Sequence, residues 1–200
     1  MRRAILTSLI LLSILSAISI APAALSQART ADEPARPELA LDYSYLRSNA
    51  PPGACTCFNL NGGSASFAWP IGNTNFAIVG DLDVAHTGSI AKSGYDLTLT
   101  SFTAGARYRF RFRSSALVPF GQVLVGAAHA SGSLVQGTNP SISNAGGAFA
   151  ANVGGGLDLA IHRHLSLRLL DADYLVTTFD NGVNDHQNIL RLGAGVVLRF

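Results

Sequence analysis

The sequence predicts an all-β fold, an eight-stranded antiparallel up-and-down β-barrel that spans a membrane. Segments in which apolar and polar residues alternate recur from Glu38 to Phe200, and a period of two is typical of strands with two different faces. Short and long connections between these segments also alternate. The last segment has one wholly apolar face and one face with two arginines and two glycines, as expected for a strand between lipid and a lumen.

The amino terminus predicts export. Residues Met1–Arg3 are basic, Ala4–Ile20 form an apolar stretch, and small residues follow, which is the layout of a secretory signal peptide. Cleavage after Ala23 fits the sequence, but we expect cleavage after Ala28. The alternative, an uncleaved inner-membrane anchor, usually needs about 20 apolar residues. The predicted domains are a signal peptide at 1–28, a disordered lead-in at 29–37 and the barrel at 38–200.

The charge balance argues against a nucleic-acid partner. The full chain has 14 Lys and Arg against 12 Asp and Glu, so removal of Arg2 and Arg3 with the signal peptide leaves 12 of each sign. A neutral chain offers no basic patch that could follow a phosphate backbone. We therefore expect no nucleic-acid partner. We also expect the protein to be a monomer and to bind no cofactor.

The first four predicted strands each have one apolar face. These faces comprise Leu39, Leu41, Tyr43 and Tyr45; then Ala65, Phe67 and Trp69; then Phe76, Ile78, Leu82 and Val84; then Phe102, Ala104, Ala106, Tyr108 and Phe110. The opposite faces contain most of the charged residues of these segments. Between the second and third strands, Gly72–Asn75 has the composition of a tight turn.

The last four predicted strands repeat the pattern with one exception. Their apolar faces comprise Val123, Val125 and Ala127; then Phe149, Ala151, Val153, Leu157 and Leu159; then part of Leu165–Phe179; then Leu190, Leu192, Ala194, Val196, Leu198 and Phe200. In the seventh strand, strict alternation would turn either Arg168 or both Asp171 and Asp173 towards lipid. We predict a bulge near Leu169–Asp171 that turns all three charges inward, because bulges re-aim side chains.

The connections between the predicted strands alternate in length. The short ones are Gly72–Asn75, Arg113–Ser115 and His162–His164, and the longer, polar ones are Arg47–Gly63, Gly88–Tyr95, Ser131–Gly146 and Asp180–Gln187. Antiparallel strands with both termini on one side of a membrane require this arrangement. In outer-membrane barrels the short turns lie in the periplasm and the longer loops outside.

Charged residues on the polar faces are predicted to fill the lumen as a network. They are Asp42, Asp81, Asp83, Arg107, Arg109, Arg111, Asp158, Arg191 and Arg199. Side chains fill the interior of an eight-stranded barrel, and charges buried there need partners. We interpret these residues as a salt-bridged plug. A gated pore or a charged binding site is the alternative.

Two further motifs are candidates for structural or metal-binding roles. Cys55 and Cys57 lie in the first long loop, and export to an oxidising compartment favours a disulfide that stiffens this loop. The spacing of one residue strains such a bridge, and a metal clip there lacks a second pair of ligands. His162 and His164 are too close along the chain to form a metal site alone. We expect no metal.

Five segments indicate a family: Phe58–Ser64, Gly105–Phe110, Pro119–Gln122, Asp173–Tyr174 and Arg191–Phe200. In these segments the chain resembles the small outer-membrane barrels of the OmpA-transmembrane-domain and OmpX type, the "outer membrane protein beta-barrel domain" proteins. The resemblance implies a location in the outer membrane of a Gram-negative bacterium. It also implies contact with outer-membrane lipid and lipopolysaccharide, and recognition of the segment ending at Phe200 by the barrel-assembly machinery. We expect no peptidoglycan-binding domain such as the one that follows the barrel of OmpA.

The resemblance specifies architecture better than activity. We expect a structural or surface-interaction role without enzymatic activity, in which the barrel presents its longer loops to the exterior. A small pore for ions or solutes is one alternative, and a soluble lipocalin-like barrel would need an apolar interior.

A third alternative is a lipid A-modifying enzyme, because some barrel enzymes that deacylate lipid A have a His-X-Ser pair. His129 and Ser131 share one strand face, so the histidine could act as a base towards the serine. No acid lies within Gly132–Leu157 to orient the histidine.

Overall fold

The computed structural model is a closed barrel of eight antiparallel strands, which confirms the predicted fold class. It describes residues 35–48, 57–88, 96–112, 115–132, 145–179 and 185–200. The strands are β1 (Glu38–Ser48), β2 (Phe58–Pro70), β3 (Phe76–Thr87), β4 (Leu97–Arg109), β5 (Leu117–Ser131), β6 (Ala145–His162), β7 (Leu165–Thr177) and β8 (Gln187–Arg199). Each strand pairs with its neighbours in sequence, and β1 pairs with β8 to close the barrel. The described residues include no helix long and apolar enough to cross a bilayer.

The two ends of the barrel differ in their connections. At one end, here called the turn end, residues 71–75, 110–116 and 163–164 join successive strands. At the other, the loop end, the connections are 49–57, 88–96, 132–144 and 178–186. The start of β1 and the finish of β8 both lie at the turn end, where the Phe200 amide donates a hydrogen bond to the Pro37 carbonyl over 3.1 Å. The signal peptide at 1–28, with its two cleavage sites, lies outside the described residues and stays a prediction. Of the lead-in, only residues 35–37 are described.

Large apolar side chains cover the outside of the barrel wall. The exposed ones include Leu41, Phe67, Ile78, Phe102, Val125, Phe149, Tyr174, Leu190 and Leu198. Residues that alternate with them point inward and are mostly buried. Because the sheet is closed, every strand has a hydrogen-bonded neighbour on both sides. A sheet in the hydrocarbon core of a membrane requires this, since its backbone groups have no water to bond. The apolar outer surface therefore fits contact with lipid.

The β7 strand contains the predicted bulge. Its pairing with β8 shifts register between Arg168 and Asp171, and its pairing with β6 shifts at the same place. Leu169 and Leu170 are consecutive, yet each is 46% exposed on the outer surface. Arg168, Asp171 and Asp173 are all buried. One extra residue thus lets the arginine and both acids point inward, as predicted.

Two strand boundaries differ most from the sequence prediction. The chain enters β2 at Phe58, although residues up to Gly63 were predicted to form a loop. Leu60 is buried, and Gly62 lies so close to β3 that a Cβ atom would stand 1.9 Å from the Val84 carbonyl oxygen. The glycine that suggested a loop thus permits close approach of two strands. In addition, β4 ends at Arg109, so that Arg111 lies in the connection to β5.

Candidate functional site in the barrel lumen

The lumen contains most of the charged residues that the sequence singled out. Buried there are Asp42, Asp81, Asp83, Arg107, Arg109, Asp158, Arg191 and Arg199. Arg111 is the exception, because it lies beyond the end of β4 and is only half-buried. Four further charged residues, Glu38, Arg168, Asp171 and Asp173, are buried with them. Apart from Arg107, these side chains form three clusters, the first centred on a carboxylate and the other two each centred on a guanidinium group.

The first cluster lies at the turn end and is centred on Glu38. The Arg199 Nε donates a hydrogen bond to Glu38 Oε1 over 2.6 Å, and Arg109 pairs with the same carboxylate. Arg199 also donates through Nη1 to the Ser166 hydroxyl. The contacts join β1, β4, β7 and β8 across the lumen. One carboxylate therefore connects strands that are not neighbours in the sheet.

The second cluster is centred on Arg168, whose side chain is completely buried. Its Nε donates to Asp158 Oδ1 over 3.0 Å, and its Nη1 donates to Asp42 Oδ2 over 3.0 Å. A longer contact of 3.4 Å joins Nη1 to Asp171 Oδ2. Because the β7 bulge turns Arg168 inward, its guanidinium group can contact all three carboxylates.

The third cluster is centred on Arg191. Its Nη1 lies 2.5 Å from Asp81 Oδ1 and 3.8 Å from Asp83 Oδ2. Its Nε donates to Asp173 Oδ2 over 3.1 Å, and Nη2 pairs with the same oxygen. The cluster thus spans the lumen from β8 to β3 on one side and reaches the adjacent β7 on the other.

Gln122 connects the third cluster to a further guanidinium. Its amide nitrogen lies 3.0 Å from both carboxylate oxygens of Asp173, while its amide oxygen accepts hydrogen bonds from Arg107 over 3.0 and 2.7 Å. Asn152 donates to Asp173 Oδ2 over 3.2 Å. Neutral amides thereby extend the ionic network across β4, β5, β6 and β7.

An aromatic ring contacts two of the guanidinium groups. The Cζ atoms of Arg107 and Arg168 stand 4.5 and 4.7 Å from the centroid of Phe120, within cation–π range. The ring occupies space that Gly156 leaves open, because a Cβ atom there would lie 2.6 Å from Phe120 Cζ. Similarly, a Cβ atom at Gly154 would lie 2.1 Å from Asp173 Oδ1. The glycines of β6 thus make room for the network.

Above the charged clusters, towards the loop end, lies an apolar ring. One buried residue from each strand contributes to this ring: Leu46, Leu60, Ala85, Leu99, Ala128, Ala150, Leu175 and Ile189. None is more than 4% exposed. On β8, Ile189 is nearer the loop end than Arg191, and on β7 Leu175 is nearer than Asp173. Phe58, Leu97, Ala130 and Phe179 pack against the ring.

The sequence interpretation missed the apolar ring and several partners of the lumenal charges. An inward leucine near a loop is a single exception in an alternating strand, so the pattern of one strand does not identify the ring. An apolar residue on the polar face near every long loop is nevertheless a usable signal. Glu38, Gln122 and Asn152, which are buried partners of these charges, were not singled out from the sequence. Their partners lie on other strands, and the sequence alone does not specify which strands face each other across the lumen.

The remaining candidate residues lie on or near the barrel surface. Cys57 is exposed just before β2, and Cys55 lies outside the described residues, so their disulfide stays a prediction. His129 is exposed near the loop end, where its strand neighbours are Thr100 and Gly147 rather than an acid. Phe200 is exposed at the turn end. Within the described ranges, no group of three or more His, Cys, Asp and Glu side chains is arranged to hold a metal ion.

Comparisons with known structures agree with this architecture. Neisserial surface protein A (NspA) is 18% identical over 84% of this chain and 100% of its own, with a TM-score of 0.63. Ail, the attachment invasion locus protein of Yersinia pestis, is 20% identical over 83% of this chain and 100% of its own, with a TM-score of 0.54. OprG from Pseudomonas aeruginosa is 11% identical over 86% of this chain and 99% of its own, with a TM-score of 0.50.

Sequence comparison identifies the family. No curated protein matches the chain. In contrast, residues 10–200 match the model of a family described as "Outer membrane protein beta-barrel domain". With the closed barrel and the apolar outer surface, this match places the protein in the outer membrane. The chain belongs to the outer membrane protein beta-barrel domain family.

Proposed function

We propose that the protein has a structural or surface-interaction role, in which a closed barrel anchors the loop-end connections and presents them to the exterior. The observation that carries this proposal is the filled lumen. Three ionic clusters connect opposite walls, and an apolar ring with one residue from every strand lies above them. Such an interior stabilises the barrel wall and leaves no wide aqueous channel through the barrel.

The filled lumen favours an anchor over the alternative of a small pore. A hydrated ion would have to leave water to pass the apolar ring, and an unpaired ion in apolar surroundings is very costly. It would then have to separate guanidinium and carboxylate groups that pair at 2.5–3.0 Å in the Arg168 and Arg191 clusters. Both steps oppose steady conduction.

The names of two similar structures are consistent with a role at the cell surface. NspA is called a surface protein, and Ail is called an attachment invasion locus protein. One Ail structure contains the heparin analogue sucrose octasulfate. The identities of 18–20% support a shared fold, so the ligands of those proteins are not transferred to this one.

Conductance measurements test the proposal against the pore. The mature chain, refolded and inserted in planar bilayers, should give no steady channel current. An epitope inserted in the connection 132–144 should bind antibody on intact cells, whereas the same epitope at 71–75 should require a permeabilised outer membrane. A steady open channel, or the reverse pattern of labelling, would overturn the proposal.

We also propose that the barrel is not an enzyme. His129 has Thr100 and Gly147 as its strand neighbours, so the adjacent strands supply no carboxylate to orient it at this register. A histidine base without an orienting group is a poor activator of serine. Purified protein should release no acyl chains from lipid A. Release that a Ser131→Ala substitution abolishes would contradict this proposal.

A further inference from the structure

The lumen contains a layer of polar residues directly beneath the apolar ring. On each strand, the next inward-facing residue from the ring towards the turn end belongs to this set, which is here called the polar layer. Its members are Ser44, Gly62, Asp83, Ser101, Gly126, Asn152, Asp173 and Arg191. All six members that have a side chain are buried. The apolar ring separates the polar layer from the loop end, so it shields the layer from water on that side.

Three side chains of the polar layer have polar atoms without a partner. Both carboxylate oxygens of Asp83, the Ser44 hydroxyl and the Asn152 amide oxygen form no hydrogen bond within the part of the chain that the structure describes. None of these three residues is more than 2% exposed. Most buried polar atoms in folded proteins have a hydrogen-bond partner, and an exception requires an explanation. The pattern indicates a bound group that the chain itself does not supply.

Neighbouring groups show how two of these side chains are oriented. Asn152 Nδ2 donates a hydrogen bond to Asp173 Oδ2 over 3.2 Å, so the amide oxygen of Asn152 points away from that carboxylate. The Ser44 hydroxyl lies near Asp83, although the two side chains do not have the geometry of a hydrogen bond. A carboxylate, a hydroxyl and an amide oxygen therefore lie in one layer of the lumen, each able to accept a bond.

The charged side chains of the polar layer are two carboxylates and one guanidinium. Arg191 pairs with Asp173 through Nε and Nη2, and its Nη1 lies 2.5 Å from Asp81 Oδ1, below the layer. The same nitrogen is 3.8 Å from Asp83 Oδ2, which is beyond hydrogen-bond distance. Among the described residues, no other cationic group lies within 4 Å of Asp83. Asp83 thus shares a guanidinium that already serves two other carboxylates, and a buried charge without a hydrogen-bonded partner is costly.

We propose that the polar layer binds one small monovalent cation, such as sodium, through Asp83, Ser44 and Asn152. Carboxylate, hydroxyl and amide oxygens are the ligands of hard cations. One positive charge balances the layer, whereas a divalent cation generally takes several carboxylates. Within the described ranges, no group of three or more His, Cys, Asp and Glu side chains is arranged to hold such an ion. The cation completes the ionic plug, and its site does not depend on what the loops contact.

A proton on Asp83 is the competing way to remove the buried charge. A proton neutralises the carboxylate but supplies a single hydrogen-bond donor, so it serves one oxygen atom. A cation bonds several oxygen atoms at once. Unpartnered oxygen atoms on three different side chains therefore favour the cation.

Urea unfolding in different salts tests the proposal. The mature chain is refolded into phosphatidylcholine vesicles in sodium chloride or in N-methylglucamine chloride of equal ionic strength, so that general screening is the same. A ligand that binds only the folded state lowers the unfolding equilibrium constant in proportion to its concentration above the Kd. We therefore expect a tenfold increase in sodium above its Kd to lower that constant roughly tenfold. Equal unfolding constants in the two salts would overturn the proposal.

Substitutions assign the sodium dependence to the polar layer. Asp83→Asn keeps the shape of the side chain but removes its charge, so it should abolish the dependence. Asp185→Asn is the matched control, because Asp185 is exposed at the loop end. Ser44→Ala removes one neutral ligand and should raise the Kd for sodium several-fold, which keeps the test decisive if Asp83→Asn does not fold. Heat-modifiable migration on a gel verifies folding, and full sodium dependence in either lumenal variant would contradict the site.

Two other outcomes would assign a different partner to Asp83. A pH dependence of unfolding that is equal in both salts and lost in Asp83→Asn would assign a proton to the carboxylate and overturn the cation proposal. Lys92, the single lysine of the chain, lies in a loop-end connection outside the described residues. Lys92→Gln should leave the sodium dependence unchanged. A dependence that appears only in Lys92→Gln would show that this lysine supplies the positive charge, which would also overturn the proposal.

Discussion

At the scale of single residues, Arg168 shows how the lumen balances its charges. One guanidinium contacts carboxylates from β1, β6 and its own strand, and its Cζ also lies 4.7 Å from the centroid of Phe120. Arg191 has the same role among Asp81, Asp83 and Asp173. A buried ion pair contributes little net stability, but removal of one partner leaves an uncompensated charge. We therefore expect replacement of a whole cluster by apolar residues to lower the free energy of unfolding less than removal of its central arginine alone.

Substitution of Arg168 tests this argument. The change Arg168→Met keeps much of the side-chain volume but leaves Asp42, Asp158 and Asp171 without their guanidinium. The free energy of unfolding in vesicles, measured with urea, should fall by about 3–5 kcal/mol.

The matched control is Arg47→Met, on the exposed face of β1. It should change the free energy of unfolding by about 0–1 kcal/mol. Equal urea midpoints for the two variants would contradict a central role for Arg168.

The glycines of β6 allow a second test at the residue scale. In Gly156→Ala the new methyl group would meet Phe120 Cζ at 2.6 Å and the Leu170 carbonyl oxygen at 2.2 Å. Overpacking of this kind should lower the free energy of unfolding by roughly 1–3 kcal/mol. Gly80→Ala is the comparison, because a Cβ atom at Gly80 meets nothing within 4 Å. Urea unfolding of both variants decides whether Gly156 is required for space.

At the scale of elements, alternation predicted the strands because the two faces of each strand meet different surroundings. The β7 bulge followed from the same rule, since three charges could not otherwise share the inner side. The predicted start of β2 was wrong, because Asn and Gly residues at the beginning of this strand are typical of a loop. In the structure, Gly62 instead allows close packing against β3. Arg111 was misplaced because the pattern of arginines at alternate positions continues past Arg109, where the strand ends.

Deletion of Leu169 tests whether the barrel requires the bulge itself. Without the extra residue, strict alternation places Arg168 and Asp171 inward and Leu170 outward, so no bulge is needed to keep the charges out of lipid. The deletion variant should therefore fold and show heat-modifiable migration after refolding. Leu169→Ala keeps the residue count and the bulge, and it should also fold. Failure of the deletion variant alone to fold would show that the barrel needs the bulge and not only the inward direction of the charges.

At the scale of the whole molecule, the ionic clusters and the apolar ring occupy different levels of the lumen. Ionic clusters occupy the part nearer the turn end, and the apolar ring lies nearer the loop end. Sequence alone predicted inward charges but not this order, because the order depends on how far neighbouring strands are staggered. The pairs across the lumen, such as Arg168 with Asp42 or Arg191 with Asp81, depend on the same stagger.

The apolar ring predicts different costs for leucines on the two sides of one strand. Leu46→Ala would leave a cavity in the ring and should lower the free energy of unfolding by about 2–5 kcal/mol. Leu41→Ala, on the exposed face of β1, removes the same atoms but leaves no internal cavity, so its cost should be smaller. Urea unfolding in identical vesicles compares them. A larger cost for Leu41→Ala would contradict the packing of the ring.

The pairing of β1 with β8 has a consequence for biogenesis. Until the seam between Glu38–Ser48 and Ile189–Arg199 forms, the growing sheet has two unpaired edges, and such edges invite pairing with other chains. The contacts of this seam are also the most distant along the chain, so loop-closure entropy makes them late and slow to form. We therefore expect the nascent polypeptide to need protection from aggregation until its last strand is available.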